Sequence, residues 1–294
     1  MKSMMLLSTV ATIALGSIAF ADTNQVGVNA AVRNSVREKG VSEGALHPAV
    51  LRASVHLGDS VVSGDQSALQ LLLLDQSVFT VGANASVTID KFVYDPNRGT
   101  SDIAASVAKG AFRFMSGRSL SGFGHNAINT PVATIGVRGT AFEGVVGTGA
   151  VKVLAQQPNL PPFTGDPSGI NVIVLNGPGH GAQGFDKPGA IDVTAGGETV
   201  TIDHPGQAVI IWGPGQKPYG PIDFSDGAFA ELSDLLRTTP GEGGDQSDFD
   251  DASAGNDSGE TLDVGPTGGD PYNQKTGGID LPLPPPNTDF SKGR

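Results

Sequence analysis

The sequence contains no cysteine. That absence excludes a disulfide framework, a thiolate metal site, a cysteine nucleophile and a lipid-anchored N-terminal cysteine. Positive charge is scarce too. A net charge of -12 leaves no basic face for phosphate backbones, which excludes nucleic acid as the partner. After the first two dozen residues no apolar stretch is long enough to cross a bilayer. The signatures of catalysis are missing as well. There is no G-x-S-x-G elbow and no phosphate-binding P-loop, and Gly122-Phe-Gly124 lacks the third glycine and the strand-to-helix setting of a dinucleotide fold. His47, His56, His125, His180 and His204 are scattered without ligand spacing, and His47 and His204 each precede a proline, which is turn chemistry. Asp248-Phe-Asp250 opens like a calcium loop, but Ala252, Ser253 and Gly259 stand where a ligand, the turn glycine and the bidentate glutamate belong. No catalytic residue, no metal and no cofactor is therefore expected.

What the chain has instead is glycine (42 residues) and proline (20), with only 16% charged residues. That composition suits many short strands joined by tight turns. At the N-terminus, Lys2 precedes a largely apolar run over residues 4–20, and Ala19-Phe20-Ala21 carries small residues where a signal peptidase reads. Residues 1–21 are expected to be a signal peptide cleaved after Ala21. The mature chain would then be exported, periplasmic or extracellular, without a membrane span. At the other end, residues 240–294 carry 11 acidic and 3 basic side chains and almost no apolar periodicity. Such a segment cannot bury enough surface to offset its ordering entropy, so disorder is expected there.

Between these ends the pattern is strand-like. Apolar residues alternate over 25–36 and 50–56, and Leu57-Gly-Asp-Ser-Val-Val-Ser-Gly64 reads as turn, short strand, turn. Strands are expected over 69–74, 78–81, 86–89 and 109–115, punctuated by Asp75-Gln-Ser77 and Gly82-Ala-Asn84. In 109–115, Phe112 and Phe114 share one face and should be buried, which leaves Arg113 on the exposed face. A glycine- and serine-rich loop over 116–129 follows, then strands over 132–137, 141–146 and 150–154. Residues 156–169 carry four prolines and should form a surface loop, since proline lacks the ladder donor. Further strands fall over 171–175, 190–194, 198–202 and 207–212. One helix is expected near 225–237, with Phe229, Leu232 and Leu236 on one face and Asp223 or Ser225 as cap. Turn signals every 8 to 12 residues or so are the spacing of sandwiches, barrels and β-solenoids.

Arg113, Arg118 and Arg138 are the candidate partner-binding residues. Arg138 sits between Gly136 and Gly139, so its guanidinium leaves a bare stretch of backbone. A planar fork there serves equally to tie a β-corner to a carboxylate such as Glu143 or to read an anionic ligand or a partner.

Several of these segments, taken in order, resemble the FecR family of bacterial exported domains. They are Leu57-Gly-Asp59 with Gly64, the run Leu71-Leu-Leu-Leu-Asp-Gln-Ser-Val-Phe-Thr-Val-Gly-Ala-Asn-Ala-Ser86, and Asp90-Lys-Phe-Val-Tyr-Asp-Pro96. Lys109-Gly-Ala-Phe-Arg-Phe114 and Thr130-Pro-Val-Ala-Thr-Ile-Gly-Val-Arg-Gly-Thr-Ala-Phe142 complete the series. The resemblance implies an all-β domain of solenoid-like coils, to which the residue pattern adds one short C-terminal helix and a disordered acidic tail. The organisation expected is a signal peptide (1–21), an N-terminal β segment (22–56), a FecR-like β domain (57–155), a β continuation with the helix (156–239) and the tail (240–294). The family resemblance also implies a role in envelope signalling through protein contacts, typically with outer-membrane receptors for iron chelates. The family's transducers place a cytoplasmic sigma-regulator segment and a membrane span before this domain. Here a signal peptide stands in that place, which would block direct signalling to a cytoplasmic sigma factor. The expected function is a non-catalytic, exported β module that binds an envelope protein or glycan, with an iron-responsive link as an extension. A structural envelope or secreted scaffold is the alternative.

Overall fold

The computed structural model describes residues 24–117, 125–178 and 189–238. The expected leader, Arg118 with its neighbours in the glycine–serine loop, and the acidic tail lie outside those residues. The described strands form two sheets that face each other. Sheet A runs in the order β4 (Ser54–His56), β1 (Gln25–Arg33), β6 (Ala68–Leu73), β7 (Val78–Val81), the C-terminal part of β9 (Thr100–Met115), β12 (Thr140–Val146), β13 (Asn171–Pro178), β16 (Gln207–Ile211) and β17 (Tyr219–Asp223). Sheet B runs β3 (His47–Pro48), β2 (Val36–Lys39), β5 (Ser60–Ser63), β8 (Ser86–Asp95), the N-terminal part of β9, β10 (Asn126–Asn129), β11 (Thr134–Arg138), β14 (Ala190–Ala195) and β15 (Glu198–Ile202).

The hinge of this arrangement is inside β9. Residues up to Lys109 pair with β8 in sheet B, and from Gly110 the same strand pairs with β12 in sheet A. Gly110 has φ +86°, and a Cβ there would stand 2.2 Å from Ala85 Cα. Only glycine allows that change of sheet. The expected strand over 109–115 is thus the second part of a longer one.

Alternation fills the space between the sheets. Leu69, Leu71, Phe79, Phe112, Phe114, Phe142 and Ile173 come from sheet A, and Val87, Ile103, Ile128, Ile135 and Ile191 from sheet B; all are buried in one cluster. Phe112 meets Phe142 edge-on at 5.9 Å between centroids, a favoured aromatic geometry. A second cluster lies on the outer face of sheet A, where Ala111, Val145, Val172 and Ile210 are covered by two helices. Those helices are α1 (Gly149–Leu154) and α2 (Asp226–Asp234).

The all-β class expected from the sequence is the class observed. Every strand pairing among the described residues is antiparallel except β9 with β10. Some of these pairs are hairpins, such as β6–β7 and β14–β15, and others join strands distant in sequence, such as β11 with β14 and β13 with β16; the solenoid-like coils that the resemblance implies are not confirmed by these pairings. The helix near 225–237 is α2: Ser225 Oγ accepts from the Ala228 N–H at 3.2 Å, and Ala228, Leu232 and Leu236 are buried. Residues 150–154, expected as a strand, form α1 instead. Gly147 at φ +85° ends β12, after which Ala150 and Val153 bury on one face at helical spacing while Val151 and Lys152 face out. Residues 50–53 also depart from the strand expected there. They form a turn that leaves Val50 and Leu51 exposed, and only 54–56 pair.

Candidate functional site

Strand register lays three parallel rows across the outer face of sheet A. In the first, Val28, Leu72, Val78, Met115 and Ala141 stand side by side on β1, β6, β7, β9 and β12. In the second, Gln70, Thr80, Arg113 and Glu143 follow one another in the same way. In the third, Ala111, Val145, Val172 and Ile210 lie under the helices. The third row is sealed. The first is apolar and partly open, with Leu72 41% exposed.

The polar row between them is an ion pair with a supporting amide. Arg113 Nε donates to Glu143 Oε1 at 2.7 Å, its Nη2 contacts the same oxygen, and Asn176 Nδ2 donates to that oxygen at 2.7 Å. Glu143 is 1% exposed, and both its Oε2 and Asn176 Oδ1 are buried without a hydrogen-bond partner. The sequence places Arg113 on the exposed face. The structure keeps it on the outer face but half-buries it, because Glu143 directly opposite holds the guanidinium flat against the sheet. For Asn176 the sequence suggests only a turn before Gly177-Pro178. A register shift between Ala141 and Phe142 is what brings it to Glu143, and no local pattern announces such a bulge.

Arg138 does not join this group. Its Nη2 lies 3.0 Å from Asp192 Oδ1, which also accepts from Thr201 Oγ1 at 2.6 Å. Glu143, the carboxylate suggested for Arg138, instead serves Arg113. The reason is topological. Ile135 and Val137 point inward from β11 in sheet B, so Arg138 points to the outer side of sheet B, while Arg113 points to the outer side of sheet A. The two described arginines of the expected site therefore face opposite sides of the sandwich, and Arg118 lies outside the described residues.

Other polar groups are distributed in pairs. The His125 ring lies 3.5 Å from Asp102, and its side chain is 94% exposed, whereas Glu143 is buried in sheet A among other partners. The His125 N–H and then Lys91 hold the Asp102 carboxyl below the usual range, once the smaller opposing effect of burial is set against them. Near the N-terminus, Asn29 Nδ2 donates to Glu38 Oε2 at 3.0 Å and to the Val50 carbonyl at 3.0 Å. Burial pushes the Glu38 carboxyl up, against the lowering effect of Asn29. His47 lies 3.0 Å from Glu43, and its bond to the Pro48 carbonyl raises it. Among the described residues no group of three or more His, Asp or Glu side chains could hold a metal ion. No described helix is long and apolar enough to cross a membrane.

A separate feature sits on the proline-rich loop. Phe163 stacks on Trp212 at 5.4 Å and 20°, and Trp212 meets Tyr219 at 6.3 Å. A cavity of about 510 Å³ opens beside them, with Asp166 and Gln216 in its wall.

Residues 59–157 match the family model described as FecR protein. Two crystal structures of a candidate anti-sigma factor from Parabacteroides distasonis are similar, each at 12% identity and a TM-score of 0.36 over 56% of this chain. The chain spans 60% of that solved chain. No curated protein matches the sequence.

Proposed function

We propose, from the match of residues 59–157 to the FecR family model, that this chain acts as a non-catalytic, exported signalling module that docks a partner protein on the open part of sheet A. The observation that carries this reading is the row Val28, Leu72, Val78 and Met115. It is an apolar strip on the same sheet face that α1 and α2 cover a few residues away. Arg113 borders the strip, and its pairing with Glu143 fixes a charged edge beside an apolar centre, the anatomy of a protein interface. Export follows from the leader, with cleavage after Ala21. The intact mass of the chain recovered from a periplasmic extract or the medium tests that step, and a mass retaining residues 1–21 overturns it.

The docking face is tested by site-specific photo-crosslinking of the full chain in cells. A crosslinker at Leu72 should trap one saturable partner, and Leu72→Asp should abolish its capture by a tagged chain. Val93→Asp, also at an exposed position, should leave capture intact. Equal loss in both variants, or no partner at Leu72, removes the reading. A chain that instead assembles with concentration in sedimentation is a scaffold.

A glycan partner is the second reading, favoured by the Phe163, Trp212 and Tyr219 platform beside its cavity. Sugar faces stack on such rings, so an envelope glycan should change the emission of Trp212 saturably. A flat titration with peptidoglycan fragments sinks it.

A further inference from the structure

A second cavity, of about 710 Å³, lies where β9 changes sheets. Its wall brings together Lys109 from β9, Lys152 from α1 and Thr148 from the turn before α1, with Asp65 and Asn84 from two turns on the opposite side. Two described lysines elsewhere in this acidic chain find carboxylates: Lys91 pairs with Asp102 and Lys217 with Glu198. Lys109 and Lys152 have no carboxylate partner of that kind among the described residues. The one acid in the wall, Asp65, is already engaged, since Asn84 Nδ2 donates to its Oδ1 at 3.2 Å. The Thr148 side chain makes no capping bond to α1. Two ammonium groups without a carboxylate partner among the described residues, and a hydroxyl that makes no capping bond, therefore line one concave space in a protein of net charge -12. Their framework is stiff, because the Gly110 backbone packs directly on that of Asn84 and Ala85. A Cβ at Gly110 would stand 2.5 Å from the Asn84 carbonyl carbon and 2.4 Å from the Ala85 nitrogen.

We propose that this cavity binds a small organic phosphate. Lysine binds phosphate as a point charge, and two ammonium groups in one wall match the nearly twofold negative charge of a phosphate monoester better than the single charge of a carboxylate. The volume lies within the range of small-ligand sites and exceeds what a bare phosphate ion fills. Ammonium groups in a concave wall also focus the local field on an anion despite the negative surroundings. This site is separate from the docking row on sheet A and does not depend on it.

The test is calorimetric titration of the full chain with glucose 6-phosphate, inorganic phosphate and glucose, at two salt concentrations. Glucose 6-phosphate should bind, more tightly than inorganic phosphate, and more weakly at high salt; glucose should give no signal. Lys109→Gln and Lys152→Gln should each weaken binding about tenfold or more, the size of one lost charge-assisted contact. Both lysines are exposed, so both variants should keep the wild-type melting temperature. Arg98→Gln, at an exposed position outside the cavity wall, is the control and should bind as wild type. Absence of binding at millimolar glucose 6-phosphate, indifference to both lysine changes, or an equal loss in Arg98→Gln overturns the proposal. Equal affinity for inorganic phosphate overturns its organic part.

Discussion

Arg113 and Glu143 stand directly opposite one another on β9 and β12, and the arginine Nε donates across the strand pair at 2.7 Å to a carboxylate that is 1% exposed. Removing one partner leaves the other without compensation in a dry place. Arg113→Met should therefore destabilise the fold by about 3 kcal/mol or more, the usual cost of an orphaned buried charge. Replacing both, as Arg113→Met with Glu143→Leu, should recover most of that loss, since an apolar pair can stand in for a buried ion pair. Urea unfolding of wild type, both singles and the double variant closes the cycle. A double variant as unstable as Arg113→Met alone would show that the pair is not the source of the cost.

Much of this arrangement is legible along the chain, and the illegible part has a physical cause. Phe112, Phe114 and Ile135 declare their burial by period-two alternation, and the Ser225 cap with Leu232 and Leu236 declares α2. The first part of β9 is harder to see. Its inward residues are Ile103, Ala105 and Val107, separated by Ala104, Ser106 and Ala108, so the contrast between faces is slight. Residues 150–154 fit a strand or a helix on composition, and only the second core under α2 decides for the helix. The candidate site suffers most. Arg138 meets Asp192 across 54 residues, and Arg113 meets Asn176 through Glu143 by way of a bulge. Which outer face an arginine occupies depends on which sheet its strand joins, and that is a long-range property.

Glu38 is buried beside Asn29, and burial raises its carboxyl above the ordinary 4.5. The native state then holds this proton more tightly than the unfolded chain. Stability linked to Glu38 is present below the unfolded value and declines as pH rises through the raised native one. Glu38→Gln keeps an acceptor for Asn29 Nδ2 and has no charge to desolvate. It should be more stable than wild type at pH 7 and should lose the corresponding slope between mildly acidic and neutral pH. Urea midpoints at pH 4 to 7 measure it; parallel profiles for the two proteins would show that Glu38 titrates normally.

Trp212 is the chain's one tryptophan, and Phe163 lies against it at 5.4 Å. Emission therefore reports the seating of the proline-rich loop. Phe163→Ala should expose the indole and shift its emission to the red. Phe163 is absent from the core between the sheets and only flanks the outer cluster, partly buried. The global transition should therefore stay cooperative and lose only about 1 to 2 kcal/mol, counting ring contact and buried area. Unchanged emission in Phe163→Ala would mean that the loop does not rest on Trp212 in solution.

Gly110 and Gly139 both have positive φ, at +86° and +57°, but their surroundings differ. A Cβ at Gly139 meets nothing within 4 Å, whereas one at Gly110 meets the backbone of Asn84 and Ala85 within 2.5 Å. Gly139→Ala should then cost only the intrinsic left-handed penalty of about 1 to 2 kcal/mol. Gly110→Ala adds a clash with main chain, which cannot swing aside as a side chain would, at the point where β9 leaves sheet B for sheet A. Its cost should be clearly larger, and it should loosen both sheets together because the strand belongs to both. Hydrogen exchange reads this directly: amides of β8 in sheet B and β12 in sheet A should both lose protection in Gly110→Ala, while Gly139→Ala leaves them near wild type. Equal melting temperatures for the two variants would show that β9 can pass between the sheets without a bare backbone at residue 110.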